Sequence, residues 1–92
     1  MTTLLSDHDA IRQVAARYAR GVDRLDADLM KSAYWPEATD DHGVFVGNAM
    51  VFCDRVVETH KRFSGTMHCN MNHTIEVIGD KASGEIYNVT YL

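Results

Sequence analysis

Apolar residues recur with a helical period near the start of the chain. From Ile11, the positions Val14, Ala15, Tyr18, Val22 and Leu25 fall at offsets of 3, 4, 7, 11 and 14, while Arg12, Arg17, Arg20 and Arg24 keep mostly to other faces. This is the stripe of an amphipathic helix of about five turns. Ser6 is suited to cap it, with Asp9 at the third helical position and Asp7 adding negative charge where the helix dipole favours it. Gly21 inside the stripe costs about 1 kcal/mol relative to Ala. Either the helix bends there or something packs closely against its backbone. A second, short helix is predicted from an Asp26 cap through about Tyr34, where Pro36 ends it, and Trp35 is expected to close one end of the core.

From Ala38 to Gly47 the chain reads as a short hairpin, with Asp41-His42-Gly43 as turn chemistry and Val44, Phe45 and Val46 as strand formers. Asn48 can cap a third helix whose Ala49, Phe52, Cys53, Val56, His60 and Phe63 share one side before Ser64-Gly65 ends it. The period then changes from helical to two. Met67 to Asn88 reads as a long hairpin turning at Gly79-Asp80, with the β-branched and aromatic residues a pleated strand accepts. In its first strand the odd positions Met67, Cys69, Met71, Ile75 and Val77 are apolar, apart from His73, and the even positions are polar. The odd face should pack, and the even face should line something wet. The order helix, helix, short hairpin, helix, long hairpin is segregated. It favours an α+β fold with an antiparallel sheet covered by helices on one face.

His68, Asn70, Asn72 and His73 give the first long strand more hydrogen-bonding capacity than stability requires, and buried polar groups cost free energy unless paired. That strand marks a candidate site. Composition narrows the partners. The chain has 92 residues, 9 Lys+Arg against 13 Asp+Glu and a formal charge of −4, with basic residues scattered among acidic ones. No stripe suited to nucleic acid is present. Two cysteines outside any CxxC motif do not make a disulfide framework, so a reducing, cytoplasmic setting is expected. The N-terminal MTTLLSDHDA lacks a basic region followed by an apolar core, and no apolar run of 18 residues occurs; neither a secretory signal nor a membrane span is expected.

Several pieces in sequence carry a resemblance. They are an aromatic-x4-Asp-x2-Asp motif beginning at Tyr18, a Trp-Pro-x-Ala junction at Trp35, and a His-x3-Asn strand beginning at His68 that leads to Gly-Asp-x-Ala at Gly79. In this order they resemble the SnoaL-like branch of the nuclear transport factor 2-like superfamily over essentially the whole chain from about Asp7. The resemblance implies one SnoaL-like domain over residues 1–92. Its fold would be a cone-shaped α+β barrel in which three N-terminal helices pack on a curved antiparallel sheet around a pocket. The family usually continues for several more strands, whereas this sequence stops at Tyr91-Leu92 within an apparent strand. The expectation is therefore of missing C-terminal strands, or of strands supplied by a partner subunit in a dimer or trimer formed through the sheet.

The closest functional analogies in the superfamily are bile acid dehydratase, lindane dehydrochlorinase and scytalone dehydratase, which act on hydrophobic rings with neither metal nor organic cofactor. Matched to their motifs, Tyr18, Asp23 and His68 are implied as catalytic; Trp35, Asn70, Asn72 and His73 are the ligand-binding candidates, His73 having the opposite strand parity unless a bulge intervenes. An imidazole with a pKa near about 6.5 is a better base at neutral pH than a carboxylate near about 3.9. Asp23 would fix its tautomer, and Tyr18 would polarise a carbonyl or protonate a leaving oxygen. The expected activity is cofactor-free dehydration or isomerisation of a small hydrophobic cyclic ligand. The alternative is a non-catalytic ligand-binding or subunit-association module, in which Asp23 pairs with Arg20 or Arg24, His68 is a satisfied structural histidine and Tyr18 is a core aromatic. Asp40, Asp41 and His42 have metal-ligand chemistry, but consecutive turn residues point in different directions and no metal site is expected.

Overall fold

Helix α1 (Asp7–Asp23) begins at the expected cap, the Ser6 hydroxyl accepting from the Asp9 N–H at 3.1 Å. The computed structural model describes residues 6–92, so the first five residues of the stretch read for targeting signals lie outside it. The helix ends before its apolar stripe does. Leu25 adopts a left-handed φ of 54°, its N–H donating to the Val22 carbonyl at 3.2 Å while the Asp26 N–H reaches the Gly21 carbonyl at 2.8 Å. These two bonds make a Schellman closure built on leucine where glycine is usual. Leu25 leaves the helix face and is exposed.

Asp26 turns directly into the cap of α2 (Ala27–Lys31), its carboxylate accepting from the Leu29 N–H at 3.0 Å. This helix is shorter than the reading through Tyr34. Ala33 and Tyr34 donate three residues back, to Met30 and Lys31, so the chain tightens into turns ahead of Pro36, which disfavours helical backbone in the residue before it. Gly21 is a close approach and not a bend. A Cβ there would lie 2.5 Å from Met30 Cγ and 2.7 Å from the Met30 backbone nitrogen.

Trp35 does not close the core. It is 77 % exposed: a turn closed by the Ala38 N–H on the Trp35 carbonyl carries the indole outward, and Tyr34 takes the inward place. Strands β1 (Thr39–Asp41) and β2 (Val46–Asn48) then pair antiparallel. Val44 and Phe45, expected in the strand, fall in the connecting loop, where the His42 N–H donates to the Phe45 carbonyl. Val44 is exposed and Phe45 folds back on the core. The Asn48 side chain accepts from the Met50 and Val51 N–H groups and starts α3 (Ala49–His60). The core is a small wedge of Val22, Met30, Phe52, Cys53 and Val56 among the three helices, with Tyr18, Tyr34, Phe45 and Val57 packed on it.

The long hairpin is β3 (Met67–Ile78) and β4 (Lys81–Tyr91), joined at Gly79-Asp80. Positive φ at Gly79 alone is the pattern of a II′ turn. The predicted odd-face packing is corrected here. Asn70 pairs with Asn88 and His73 with Ile86, so Met71 and Asn72 together oppose Tyr87. This bulge shifts the alternation by one residue. His68 and Asn70 face α1 before it, and His73, Ile75 and Val77 do so after it, whereas Met67 and Met71 are exposed. His73 therefore shares the His68 face, to which its parity in the sequence did not assign it.

Helices and antiparallel strands thus form the mixed architecture expected, but the described strands make two separate two-stranded sheets, both open, and close no barrel. β4 is exposed along its whole length. Among the described residues no helix is long and apolar enough to cross a membrane.

Candidate active site

The end of α1 and the start of β3 are tied together by one carboxylate. Asp23 accepts from the His68 backbone N–H at 3.0 Å, from the Thr66 hydroxyl at 3.0 Å and from His68 Nδ1 at 2.7 Å. Burial pushes the carboxyl pKa up, but the hydrogen bonds from His68 and Thr66 outweigh it and hold Asp23 below the ordinary carboxylate value. An ionised carboxylate only accepts, so His68 donates through Nδ1–H and, when neutral, keeps the lone pair on Nε2. His68 lines the space between α1, the first hairpin and β3.

Tyr18 lines the same space from the middle of α1. Its hydroxyl is 3.3 Å from His42 Nε2, and His42 Nδ1 is in turn hydrogen-bonded to Asp40 Oδ1. The other oxygen of Asp40 accepts from the Tyr34 hydroxyl at 2.6 Å. A second imidazole–carboxylate pair therefore stands across the cleft from the first, its ring stacked on Phe52 at 4.2 Å between centroids. Burial, with the Asp40 charge added, pushes the Tyr18 phenol up to about 12, so it keeps its proton at neutral pH. Burial and the hydrogen bond to Asp40 raise Tyr34 further.

Two adjoining cavities share Tyr18, His42 and His68 as common wall. One, of about 530 Å³, is bounded by Val14, Ala15, Ala33, Tyr34 and Ile86. Its polar edge is a hydrogen-bonded row running from Thr90 to Asn88, from Asn88 to Asn70 at 3.0 Å, and from Asn70 to the Ala15 carbonyl at 3.3 Å. The other, of about 440 Å³, reaches toward α3. Asn70 thus lies where a ligand-facing residue should. Trp35, Asn72 and His73 line neither cavity. Trp35 is turned to solvent, Asn72 lies in the bulge, and His73 sits partly buried with Nδ1 unpartnered.

Tyr34, Asn88 and Thr90 were not singled out by the sequence, and Asp40 and His42 were weighed there only as metal ligands beside Asp41. The available signal was the spacing of Asp40 and His42, two apart at a strand end, which places both on one face. Asp41, between them, turns away to accept from the Gly43 N–H at 2.9 Å. Among the described residues no three His, Cys, Asp or Glu side chains converge as a metal site.

The SnoaL-like domain model matches residues 3–92. Comparison with curated proteins and with solved structures finds no match. The helix-borne aspartate, the strand-borne histidine and the cleft between them all fall within that match: the chain belongs to the SnoaL-like domain family of the nuclear transport factor 2-like superfamily.

Proposed function

We propose that this protein binds a small hydrophobic cyclic molecule in the cleft and catalyses cofactor-free dehydration or isomerisation on it. The observation that carries the reading is the 2.7 Å contact between Asp23 and His68 Nδ1, with the same histidine bordering both cavities. Asp23 holds the imidazole in the tautomer whose Nε2 accepts a proton and stabilises the imidazolium that results. Tyr18, protonated and facing the same space, donates to a carbonyl or leaving oxygen. His42, its Nδ1 held by Asp40, fixes the Tyr18 hydroxyl through Nε2, and water entering the open cleft returns a proton to the phenol once it has donated. The finer architecture of this reading is a cone whose interior is the cleft, and family membership supports it. Asn70 would bind the ligand's polar group, and association of copies through the sheet belongs to the same reading.

The test is a panel of β-hydroxy ring ketones, with dehydration followed as the rise of conjugated-enone absorbance. Wild type is expected to turn over at least one member. Replacement His68→Asn should lower kcat by 10²-fold or more, the size of a general-base contribution. Turnover unchanged by that replacement excludes His68 as the base. The openness of both sheets and the exposure of β4 favour a second reading, a binding module without chemistry, since a cleft open to water suits binding as readily as reaction. A panel member that binds and is returned unchanged would decide for it.

A further inference from the structure

The two cavities differ chemically. The one toward α3 has an apolar wall of Val22, Phe45, Phe52 and Val56, and around it stand Arg55, His60 and Arg62. Among the described residues no carboxylate lines it, although the chain carries 13 Asp+Glu against 9 Lys+Arg. The acidic residues of α3 are engaged elsewhere, Asp54 with Lys31 and Glu58 with Lys61, each at 2.9 Å. Asp23 and Asp40 sit behind His68 and His42.

Among the described residues, Arg55 and Arg62 have no acidic partner. Arg55 lays its guanidinium over the Phe45 ring at 5.2 Å, and Arg62 over Phe63 at 4.8 Å. Stacking of this kind orients the planar group and leaves its edge N–H donors for another acceptor. Burial, with His68 and Arg62 adding to it, lowers the pKa of His60, so at neutral pH it offers a hydrogen bond without adding charge. The carbonyl end of α3 lies close by and disfavours an anion, but that effect fades within a turn and is weaker than a two-pronged guanidinium–carboxylate contact.

We propose that this end of the cleft binds the carboxylate of its ligand, so that the protein takes a ring carboxylic acid, its ring against Phe45, Phe52 and Val56 and its acid group on Arg55 and Arg62. The proposal rests on the cleft being a ligand site, as read above. Its test is binding, which is measured without turnover and so stands or falls separately from proton abstraction by His68.

The full chain is titrated by calorimetry with 2-naphthoate and with 2-naphthamide, two probes alike in ring and size but different in charge. Wild type should bind the naphthoate about tenfold or more tightly than the amide, the scale of a charge-assisted hydrogen bond at a partly exposed site. In the double variant Arg55→Met with Arg62→Met, which keeps the apolar stems, the ratio should fall to near one. Should the pair unfold the protein, each single variant should lower the ratio part of the way. Equal binding of the two probes by wild type, binding of neither, or a preference that survives loss of both arginines overturns the proposal.

Discussion

Asp23→Ala is expected to destabilise the fold as well as silence the site, because one carboxylate does both jobs. Its three hydrogen bonds, at 3.0, 3.0 and 2.7 Å, join the last residue of α1 to Thr66 and His68, 43 and 45 residues away. After truncation the Thr66 hydroxyl can turn to water. The His68 backbone N–H and Nδ1–H have less freedom, with the histidine side chain only 16 % exposed and that of Asp23 21 %. A bond to a charged acceptor contributes about 1.5–3 kcal/mol when buried and less where water competes, so the three together are worth about 2–4 kcal/mol. Urea unfolding followed by far-ultraviolet circular dichroism measures this. Trp35, 77 % exposed, is a poor fluorescence reporter. An Asp23→Ala variant within about 0.5 kcal/mol of wild type would show that β3 is held to α1 by something else.

The pH dependence of the same contact has a definite sign. Hydrogen bonds hold folded Asp23 below its ordinary value of 3.8, so the unfolded chain takes up the proton first as pH falls. The stabilisation is therefore fully present above that ordinary value and is lost as pH drops through the lower, folded one. Asp23→Asn keeps the shape but sets an amide NH₂ against a donor, and it has no charge to lose. The stability gap between wild type and Asp23→Asn present at about pH 5 should shrink as the pH falls below about 4. A gap that stays level down to pH 2 would refute the account.

Two further outcomes concern packing. Gly21→Ala gains about 1 kcal/mol of helix propensity, yet its methyl would meet Met30 backbone nitrogen at 2.7 Å; we expect net destabilisation of about 1–3 kcal/mol as α2 is pushed away, read from the denaturation midpoint, and a stabilised variant would mean that α2 yields freely. His73→Leu removes an imidazole whose Nδ1 is buried without a partner. It should raise stability by about 1 kcal/mol and the melting temperature by about 4–8 °C, and a clear loss of stability in thermal melts would show that Nδ1 is satisfied in solution.

Local signals made much of this chain legible. Ser6, Asp26 and Asn48 each start a helix where the cap chemistry places it, because a cap is a contact over two or three residues and the sequence displays all of its parts. Helix ends were harder to read. Leu25 closes α1 in a conformation that costs a non-glycine residue about 1–2 kcal/mol, offset by its two closing hydrogen bonds and accompanied by the packing of Met30 against Gly21, which no local pattern displays. Motif matching brought Asp23 and His68 forward together, but not their distance, since they stand 45 residues apart with α2, the short hairpin and α3 between them.

The bulge between Asn70 and His73 explains the largest misreading and much of the site. Strict alternation from Met67 to Val77 would put the apolar odd residues of β3 on one face and leave His68 and Asn70 facing away from α1's packing surface. One extra residue reconciles the two halves. His68 and Asn70 face α1 and the cleft at one end, while Ile75 and Val77 face the same helix at the other. Without the bulge, α1 would have to choose between packing on apolar side chains and presenting Asp23 to His68. Nothing in the composition of Met71-Asn72 announces it, since neither residue is a glycine or proline. The bulge exists because both ends of one helix must be matched by one strand, a condition set by tertiary contacts and invisible to any window along the chain.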